Sequence, residues 1–545
     1  MISSRMPAEF TPKFLTVLKE GYGLPEIKAD VLAGLTGAIV ALPLSMAIAI
    51  ASGVGPERGL YTTIIGGFLV SALGGSRFQI GGPAGAFIVL VSACVMTLGV
   101  QGLITATFLS GFLMLILGAL RLGTYIKFIP YPVTVGFTAG IAVIIFSSQM
   151  KEVFGLTLGG PEPAEIVHKV EALWAARQTA SVAALAVAAL TIVAILGVKR
   201  LRPGWPNLLI AVAGASVVVA LFQIPVETLG TRFGELPRML PTPMLPDISI
   251  PALIAAAPYA VSFTLLGAIE SLLSAVVADG MSGRQHRSNI ELVAQGVANI
   301  GSALFGGFCV TGTIARTATN VRAGSRGPVS GMLHSLFVLA FMLIAAPLAA
   351  FIPLAALGGV LVVVAWNMAE KEEFWNLVRK SRADAMVVLA TFLLVVFRDL
   401  TEGIVVGFAL GGLVFIRRMS DAAQVEPTQA EGYDAEAPSN AERVTLRLRG
   451  PYFFGAAARL GSVLDRIADN PSAFVVDFAD VPMIDSTGAR SFELLAHKVQ
   501  RKGGQLYLVS VRPEVRSQLE RQGARSPLVT YLGSIAELDE LQARR

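Results

Sequence analysis

Cysteine, histidine and charged side chains are all scarce in this chain. Its 545 residues include two cysteines and four histidines, and Asp, Glu, Lys and Arg together make up 15% of the total. Cys94 and Cys309 both lie in apolar surroundings without metal-ligand spacing, which excludes a cysteine-rich metal site and a disulfide scaffold. So few charges also exclude one soluble core of this length. We expect no cofactor and no structural metal.

Long apolar runs take the place of the missing charges. Hydrophobic residues make up 54% of the chain, and its mean hydropathy is +0.66. About 20 apolar residues cross the ~30 Å hydrocarbon core of a bilayer as a helix. We therefore predict fourteen membrane segments in two sets of seven, of which those near 291 and 313 are short and rather polar. The segments lie near 30–51, 58–74, 80–99, 102–120, 132–150, 180–198, 206–223, 253–279, 291–306, 313–321, 328–351, 353–369, 384–397 and 401–416.

Lys and Arg are concentrated in the loops on one side of this pattern. Positively charged loops are retained in the cytoplasm, so both termini are expected on the cytoplasmic side. The first residues, MISSRMPAEFTPKF, contain no apolar h-region, and no secretory signal peptide is predicted. The formal net charge of +5 is explained by short inner loops beside anionic lipid, without nucleic acid.

The character of the chain changes after the last apolar segment. Residues 419–441 are acidic, contain Pro and have few large aliphatic side chains, which predicts a flexible linker. Beta-rich runs such as RVTLRLRG and AFVVDFADV then alternate with helical patterns, as in a small α/β domain. The predicted domains are an N-terminal segment 1–28, a membrane domain 29–418 with repeats of about 29–223 and 253–418, the linker 419–441, and the α/β domain 442–545.

Two short glycine-containing stretches occupy corresponding places in the two sets of segments. The third segment of the first set begins QIGGPAGAF, and the third of the second set begins VTGTIART. Paired interruptions of this kind mark binding sites in transporters built from inverted repeats. Because interior Gly and Pro cost a helix about 1 and 3 kcal/mol, we predict extended backbone over 78–82 and a half-helix beginning at Pro83. Close helix packing is the alternative explanation for the glycines.

Arg316 falls in the first turn of the second half-helix. A helix N-terminus carries unpaired N–H groups and roughly half a positive charge, so two facing half-helices form an anion site. An arginine within a bilayer is costly and normally faces protein or water. We predict that Arg316 favours a bound anion; a purely structural tie between helices is the alternative.

Glu270 stands alone in the apolar run LLGAIESLLSAVVADG. Burial disfavours the charged form of a carboxyl group, so Glu270 is a candidate for coupling proton movement to anion movement. A fixed ion pair with Arg316 or with a neighbouring span explains its presence equally well.

Several long stretches resemble one known family. AIESLLSAVVADGMSGRQHRSNIELVAQGVANIGSALFGG and VTGTIARTATNVRAGSRGPVSG are similar to the SulP family, the sulfate permease-like anion transporters. GLTGAIVALPLSMAIAIASGVGPERGLYTTIIGGFLVSALGGSRFQIGGPAGAF resembles the first three spans of that family. VPMIDSTGA stands at the place of the Asp-Ser-x-Gly loop of its C-terminal STAS domain. The resemblance covers nearly the whole chain.

The resemblance implies a fold, a mechanism and a set of site residues. The fold is a polytopic helical membrane protein with seven plus seven inverted spans, divided into core and gate domains and followed by a cytoplasmic STAS domain. A small anion binds between the third and tenth spans and moves with an elevator-like shift of the core, in a homodimer. The implied anion-site residues are Gly82, Pro83, Ala84, Gly85, Thr313, Ile314, Ala315 and Arg316, with Ser45, Ile48 and Glu270 lining the same cavity.

Departures from the family pattern bear on the substrate. Many sulfate and chloride members have a glutamine after the first-span proline and an aromatic residue further on; here Leu44 follows Pro43, and Ile48 takes the aromatic position. Sodium-coupled bicarbonate members look to have Asp where this chain has Glu270 and Thr where it has Ile314. Ile314 lacks the threonine oxygen, and loss of an oxygen ligand weakens a sodium site. The pattern resembles proton-linked bacterial C4-dicarboxylate carriers. We expect succinate or fumarate with a proton rather than sodium; sulfate and bicarbonate are the alternatives.

The loop of the α/β domain has several candidate roles. Asp485, Ser486, Thr487 and Gly488 separate a strand from a helix, where capping the helix is the commonest use of Asp or Ser. Nucleotide binding, phosphorylation and contact with a cytoplasmic partner are alternatives for this loop.

Other classes of membrane protein fit the sequence less well. A channel needs a continuous polar lining, which these spans do not offer. An enzyme needs a catalytic constellation, and the lone His334 in an apolar span is more typical of a packed side chain.

Overall fold

A computed structural model describes most of the chain. The described residues are 8–126, 130–160, 162–163, 165–202, 205–398, 400–422, 424–427, 443–453 and 472–543. Two compact units result, Met1–Phe408 and Ala409–Arg545. The first seven residues of the predicted N-terminal segment lie outside the described part.

The first unit is built of helices, as its apolar composition predicts. α3 continues into α4 through the π-helical turn Thr62–Gly66, and short 3-10 helices cover Ala8–Phe10, Gly85–Phe87 and Ala176–Thr179. The elements in chain order are α1 (Lys13–Glu20), α2 (Leu24–Ala51), α3 (Pro56–Tyr61), α4 (Gly67–Leu73), β1 (Gly81–Gly82), α5 (Ile88–Ala119), α6 (Gly123–Ile126), α7 (Tyr131–Phe154), α8 (Ile166–Ala175), α9 (Val182–Leu201), α10 (Asn207–Phe222), α11 (Leu229–Phe233), α12 (Ile250–Ser282), α13 (Ser288–Leu304), β2 (Thr311–Gly312), α14 (Ile314–Arg322), α15 (Val329–Ala349), α16 (Leu354–Met368), α17 (Lys371–Lys380), α18 (Arg382–Phe397) and α19 (Leu400–Ala422), which runs into the second unit.

Each of the fourteen predicted membrane segments contains helix, but not all of these helices are full-length spans. α10, α13, α14 and α18 have 16, 17, 9 and 16 residues. Fourteen full-length spans are therefore not found among the described residues, because these four helices are shorter than the ~20 residues that cross a bilayer. Seven helical stretches of the described chain are long and apolar enough to cross a membrane: Leu24–Ala51, Gly85–Ala119, Tyr131–Phe154, Val182–Leu201, Ile250–Ser282, Val329–Ala349 and Leu354–Lys380.

α5 contains a break where two separate segments are predicted. Gly99 has φ 68° and ψ −176° within the helix. Glycine adopts this backbone readily because it has no Cβ, whereas other residues are strained there. The break divides a short helix that begins near the middle of the unit from the following apolar helix.

Two short strands pair at the centre of the first unit. β1 and β2 pair antiparallel, with Gly81 opposite Gly312 and Gly82 opposite Thr311. The Thr313 amide extends the pairing by donating to the Ile80 carbonyl at 3.0 Å. Because the strands run in opposite directions and each leads into a helix, the helices that follow start close together and leave in opposite directions.

The loop that leads into β1 is held by carboxylates. The fully buried Glu291 of α13 accepts hydrogen bonds from the amides of Gly75 and Ser76, at 2.7 and 3.0 Å. The Arg77 side chain donates to Glu20 of α1 at 2.5 Å, and this hydrogen bond lowers the pKa of Glu20. α1 is therefore fastened to the loop at neutral pH, and the attachment weakens as acid protonates the Glu20 carboxylate.

Helices of the first unit pack as two bundles. Small residues permit close approach within each, since a Cβ on Gly111 of α5 would lie 2.7 Å from the carbonyl of Gly296 in α13, and one on Gly136 of α7 would lie 2.5 Å from that of Val388 in α18. We name them the core bundle (α2, α4, α5, α12, α13, α14 and α15) and the gate bundle (α7, α9, α10, α16, α17 and α18).

The second unit contains a five-stranded sheet in the order β3 to β7. β3 pairs antiparallel with β4, and the remaining neighbours are parallel. Apolar side chains cover both faces, with Phe478 and Phe492 on one and Val509 and Leu538 on the other. The predicted α/β domain is confirmed. Its elements are β3 (Gln424–Pro427), β4 (Arg443–Arg449), β5 (Ala473–Asp480), α20 (Ser486–Arg501), β6 (Gln505–Val509), α21 (Pro513–Arg521), β7 (Val529–Leu532) and α22 (Ile535–Ala543).

The predicted linker boundary at 419 needs correction. α19 continues to Ala422, and Gln424–Pro427 forms the edge strand β3. Acidic and proline-containing sequence is compatible with an edge strand, where one side of the backbone makes no ladder bonds. Residues 428–441 lie outside the described part of the chain.

Candidate anion site

Arg316 is enclosed beside the paired strands β1 and β2. It is the third residue of α14 and its exposed fraction is 2%. Nη2 donates to Ser45 Oγ at 3.1 Å and to the Pro83 carbonyl at 3.3 Å. Among the described residues, Nε and Nη1 find no hydrogen-bond partner. A buried cation with free donors is costly unless an anion or water meets them.

A series of hydroxyl groups orients this guanidinium. Ser45 Oγ lies 2.7 Å from Thr63 Oγ1, and the Thr63 hydroxyl donates to the Gly59 carbonyl at 2.9 Å. The Ser45 hydroxyl can then donate to Thr63 while its oxygen accepts from Arg316. These hydrogen bonds thus hold the guanidinium on the side that faces α2.

A cavity of about 710 Å³ lies beside the two helix starts. It is bounded by the core bundle on one side and by α7, α9, α10 and α16 of the gate bundle on the other. Ala84 and Thr313, the residues that precede the helical turns, both have extended backbone. Nine predicted site residues line the cavity: Ile48, Pro83, Ala84, Gly85, Glu270, Thr313, Ile314, Ala315 and Arg316.

Gly82 and Ser45 do not line this cavity. A Cβ on Gly82 would lie 2.2 Å from Arg316 Nη1, so only glycine leaves room for the guanidinium in this position. Ser45 is fully buried and contacts the arginine rather than the open space. Both residues therefore position Arg316.

The first half-helix begins later than predicted. Pro83 is not its first residue, because Ala84 remains extended at φ −109° and ψ 145° and the turn starts at Gly85. The Pro83 carbonyl is instead a hydrogen-bond acceptor for Arg316.

Glu270 reaches the same cavity from α12. Its exposed fraction is 7%, and no described residue forms an ion pair or hydrogen bond with its carboxyl group. The fixed ion pair with Arg316 considered above is therefore absent from this structure. An unpaired carboxyl group facing a cavity is accessible to protons from water.

Several lining residues were not predicted from the sequence. Thr138 of α7 and Asn207 of α10 supply polar groups from the gate bundle, and Thr319 supplies one from α14. Lys199 and Arg322 lie at the exposed end of the cavity. Thr319 and Arg322 follow Arg316 at three-residue intervals, and this spacing was the available signal. The gate residues gave none, since single Thr and Asn residues in apolar helices are common.

In the second unit the predicted loop has a defined geometry. Asp485 caps α20 by accepting from the Gly488 amide at 2.7 Å. Ser486 and Thr487 are exposed, and Gln518 donates to Ser486 Oγ at 3.0 Å. A Cβ on Gly488 would lie 2.9 Å from the Tyr452 carbonyl, which requires glycine. Capping is thus performed by Asp485, not by Ser486.

The two units match models of two known families. The sulfate permease family model matches residues 27–391, and the STAS domain model matches residues 434–532. The chain belongs to the sulfate permease family. Members of this family are anion transporters and not enzymes, and the chain is accordingly a multi-pass membrane transporter with a STAS domain.

Named relatives agree with this membership along most of their length. YvdB of Bacillus subtilis (strain 168), named for sulfate transport, is 38% identical over 92% of this chain and 95% of its own. The bicarbonate transporter BicA of Picosynechococcus sp. is 29% identical over 91% and 90%. These names concern sulfate and bicarbonate, so the resemblance to a dicarboxylate branch stays a prediction.

Solved structures of the family share the fold. Murine solute carrier 26 family member A9 gives a TM-score of 0.85 at 20% identity, over 100% of this chain and 96% of that one. The transmembrane domain of a cyanobacterial BicA gives 0.63 at 30% identity, over 70% and 98%. Both likenesses support the membrane fold, and the first includes the C-terminal domain.

The polar groups beside the cavity are of the kinds that suit a small anion. Among the described residues, no three His, Cys, Asp or Glu side chains form a group that could hold a metal ion. His334 is fully buried, and its ring packs against Gly37 of α2. The chemistry available is therefore anion binding by two helix starts and one guanidinium, with a carboxyl group in the same cavity.

Proposed function

We propose that this chain is a secondary transporter that moves a C4-dicarboxylate together with a proton across the bacterial inner membrane. The observation that carries the proposal is Arg316, whose Nε and Nη1 atoms are buried beside a cavity with no partner among the described residues. An anion there would satisfy both donors and the N–H groups of the helix starts. The same geometry suits an oxyanion with one or two negative charges.

Glu270 supports the proton in this proposal. The carboxyl group shares the cavity with Arg316 and has no ion pair among the described residues. A proton bound there would offset the negative charge that enters with the substrate. Sodium is less favoured, because Ile314 supplies no side-chain oxygen where a hard cation would need one.

An elevator-like movement fits the division into two bundles. Arg316 and both helix starts belong to the core bundle, so a shift of this bundle against the gate bundle would carry the bound anion with it. Spin labels on α14 and α16 test this movement. A change in their distance on addition of substrate is expected, and an unchanged distance under transport conditions would exclude the elevator.

Sulfate or bicarbonate is the second candidate substrate, favoured by the names of the relatives.

The family resemblance supports three further parts of the proposal. These are a homodimer, cytoplasmic termini and a cytoplasmic partner for the STAS domain. Light scattering of the purified protein tests the dimer, and a monomeric mass would refute it.

The deciding experiment is uptake into proteoliposomes containing the full chain. Labelled succinate, sulfate or bicarbonate is offered with unlabelled succinate, fumarate, sulfate, bicarbonate or chloride as competitors, at two pH values, with and without sodium. We expect saturable uptake that a proton gradient stimulates and fumarate inhibits. Uptake of labelled sulfate or bicarbonate alone would replace the dicarboxylate, whereas unitary currents without saturable uptake would indicate a channel.

A further inference from the structure

The exposed end of the cavity carries two cations that anion binding at Arg316 does not use. Lys199 lies in the last turn of the gate-bundle helix α9, and Arg322 is the last residue of the core-bundle helix α14. Both line the cavity and are exposed, and neither forms an ion pair or hydrogen bond with another described residue. Two cations without a partner among the described residues thus lie at the mouth, one from each bundle.

α14 connects this mouth to the enclosed arginine. Arg316, Thr319 and Arg322 all line the cavity. Residues three apart are neighbours on a helix surface, so each of the three adjoins the next. Six residues of helix span about 9 Å. A guanidinium, a hydroxyl group and a second guanidinium therefore follow one another from the inner end of the cavity to its mouth.

The remaining wall directs an anion along this row. Val40, Leu44, Ile195 and Val363 line the cavity and offer no polar side-chain group. Glu270 and Glu370 are the carboxylates among the described lining residues, against three cations. An anion in the cavity is consequently drawn toward the arginines and the lysine.

We propose that Arg322 and Lys199 form an entrance subsite that binds the transported anion at the cavity mouth before it reaches Arg316. This inference rests on the proposed function. Its ligand class is a small oxyanion with one or two negative charges, and the two residues position and concentrate the anion. Because the two cations belong to different bundles, a movement of one bundle against the other separates them, so the subsite serves one side of the membrane.

The test uses the full chain in inside-out and right-side-out membrane vesicles, with labelled succinate, sulfate and bicarbonate. The variants are Arg322→Gln, Lys199→Gln and the double variant, with Arg322→Lys retaining the charge. Arg200→Gln is the matched control, since Arg200 is an exposed neighbour that does not line the cavity. KM and kcat are measured at low and high ionic strength.

We expect the double variant to raise KM about three- to tenfold at low ionic strength with kcat unchanged, because capture and not translocation is impaired. The increase should fall below about twofold near 0.3 M salt, and it should be confined to the vesicle orientation in which the mouth faces the medium. Arg322→Lys and Arg200→Gln should retain the original KM. An unchanged KM in the double variant, or an increase that is independent of salt or equal from both faces, would overturn the subsite.

The same measurements separate failure of the subsite from failure of the proposed function. If the unaltered protein takes up none of the three anions, the function fails and the subsite fails with it. If Arg316→Ala transports normally, Arg316 is not the site to which the subsite leads, and the subsite is refuted while transport stands. If Arg316→Ala abolishes uptake while the mouth variants retain their KM, only the subsite is refuted.

Discussion

At the scale of single residues, the site depends on the donors of Arg316 that no described residue occupies. Ser45 and Pro83 together occupy Nη2, and the space left by Gly82 admits Nη1. A carboxylate in contact with the guanidinium would compete with substrate, and none of the described residues provides one. The arginine is therefore oriented by neutral groups and keeps its full charge for a ligand.

Replacement of Arg316 tests this arrangement. Arg316→Ala should weaken anion binding at least about tenfold, or 1.4 kcal/mol, because a charge-assisted pair of hydrogen bonds is lost. Calorimetry on the purified protein measures the affinity, and thermal unfolding verifies that the fold is intact. Arg284→Ala, at an exposed loop position, is the control; equal affinity for both variants would remove Arg316 from the site.

Glu270 is tested through the pH profile of uptake. Glu270→Gln keeps the shape of the side chain but cannot exchange a proton, so we expect uptake that no longer varies with pH or responds to a proton gradient. The initial rate is measured between pH 5.5 and about 8, the range in which a coupling group must titrate to act in the cell. A profile that survives the substitution would make Glu270 a structural residue.

At the scale of elements, the candidate sites of both units lie at helix starts. In the membrane unit, Ala84 and Thr313 leave the first turns without a side-chain cap, and the amides beyond them can reach a ligand. In the second unit Asp485 fills the corresponding position of α20. The same backbone geometry thus leaves amides available to a ligand when the cap is absent and gives a stable helix end when it is present.

The cap of α20 gives a prediction with an internal control. Asp485→Ala should lower the free energy of unfolding of the second unit by about 1 kcal/mol, since the Gly488 amide loses its acceptor. Ser486→Ala removes one exposed hydrogen bond to Gln518 and should cost less than about 0.5 kcal/mol. Urea unfolding of the two variants measures the difference. A larger loss for Ser486→Ala would reassign the cap.

At the scale of the whole molecule, two units contain separate cores. The sheet of the second unit is covered by apolar side chains on both faces from within its own sequence. We expect a fragment from residue 424 to residue 545 to fold alone, with a single cooperative urea transition followed by circular dichroism. Phe478→Ala, at a fully buried position, should lower its stability by about 3 to 5 kcal/mol. A fragment without a cooperative transition would show that its core is incomplete.

Much of the architecture follows from local pattern. Apolar runs place the membrane helices, because backbone groups in lipid must bond within their own segment. The alternation of β-rich and helical runs after 442 places the second unit, and the paired stretches near Gly82 and Arg316 place the interrupted helices. These properties belong to short stretches of sequence and need no distant contact.

Other features depend on residues far apart in the chain. Pro83 lies outside the half-helix it was predicted to begin, since its carbonyl serves Arg316 of a distant segment, and β3 forms only because β4 is available to pair with it. The contributions of Lys199, Thr138 and Asn207 to the cavity are likewise visible only when the gate bundle packs against the core. The sequence by itself determined the membrane class, the two units and the enclosed arginine. Only the tertiary structure decided which groups share the cavity and which donors of Arg316 are free, because those depend on contacts between segments up to 271 residues apart.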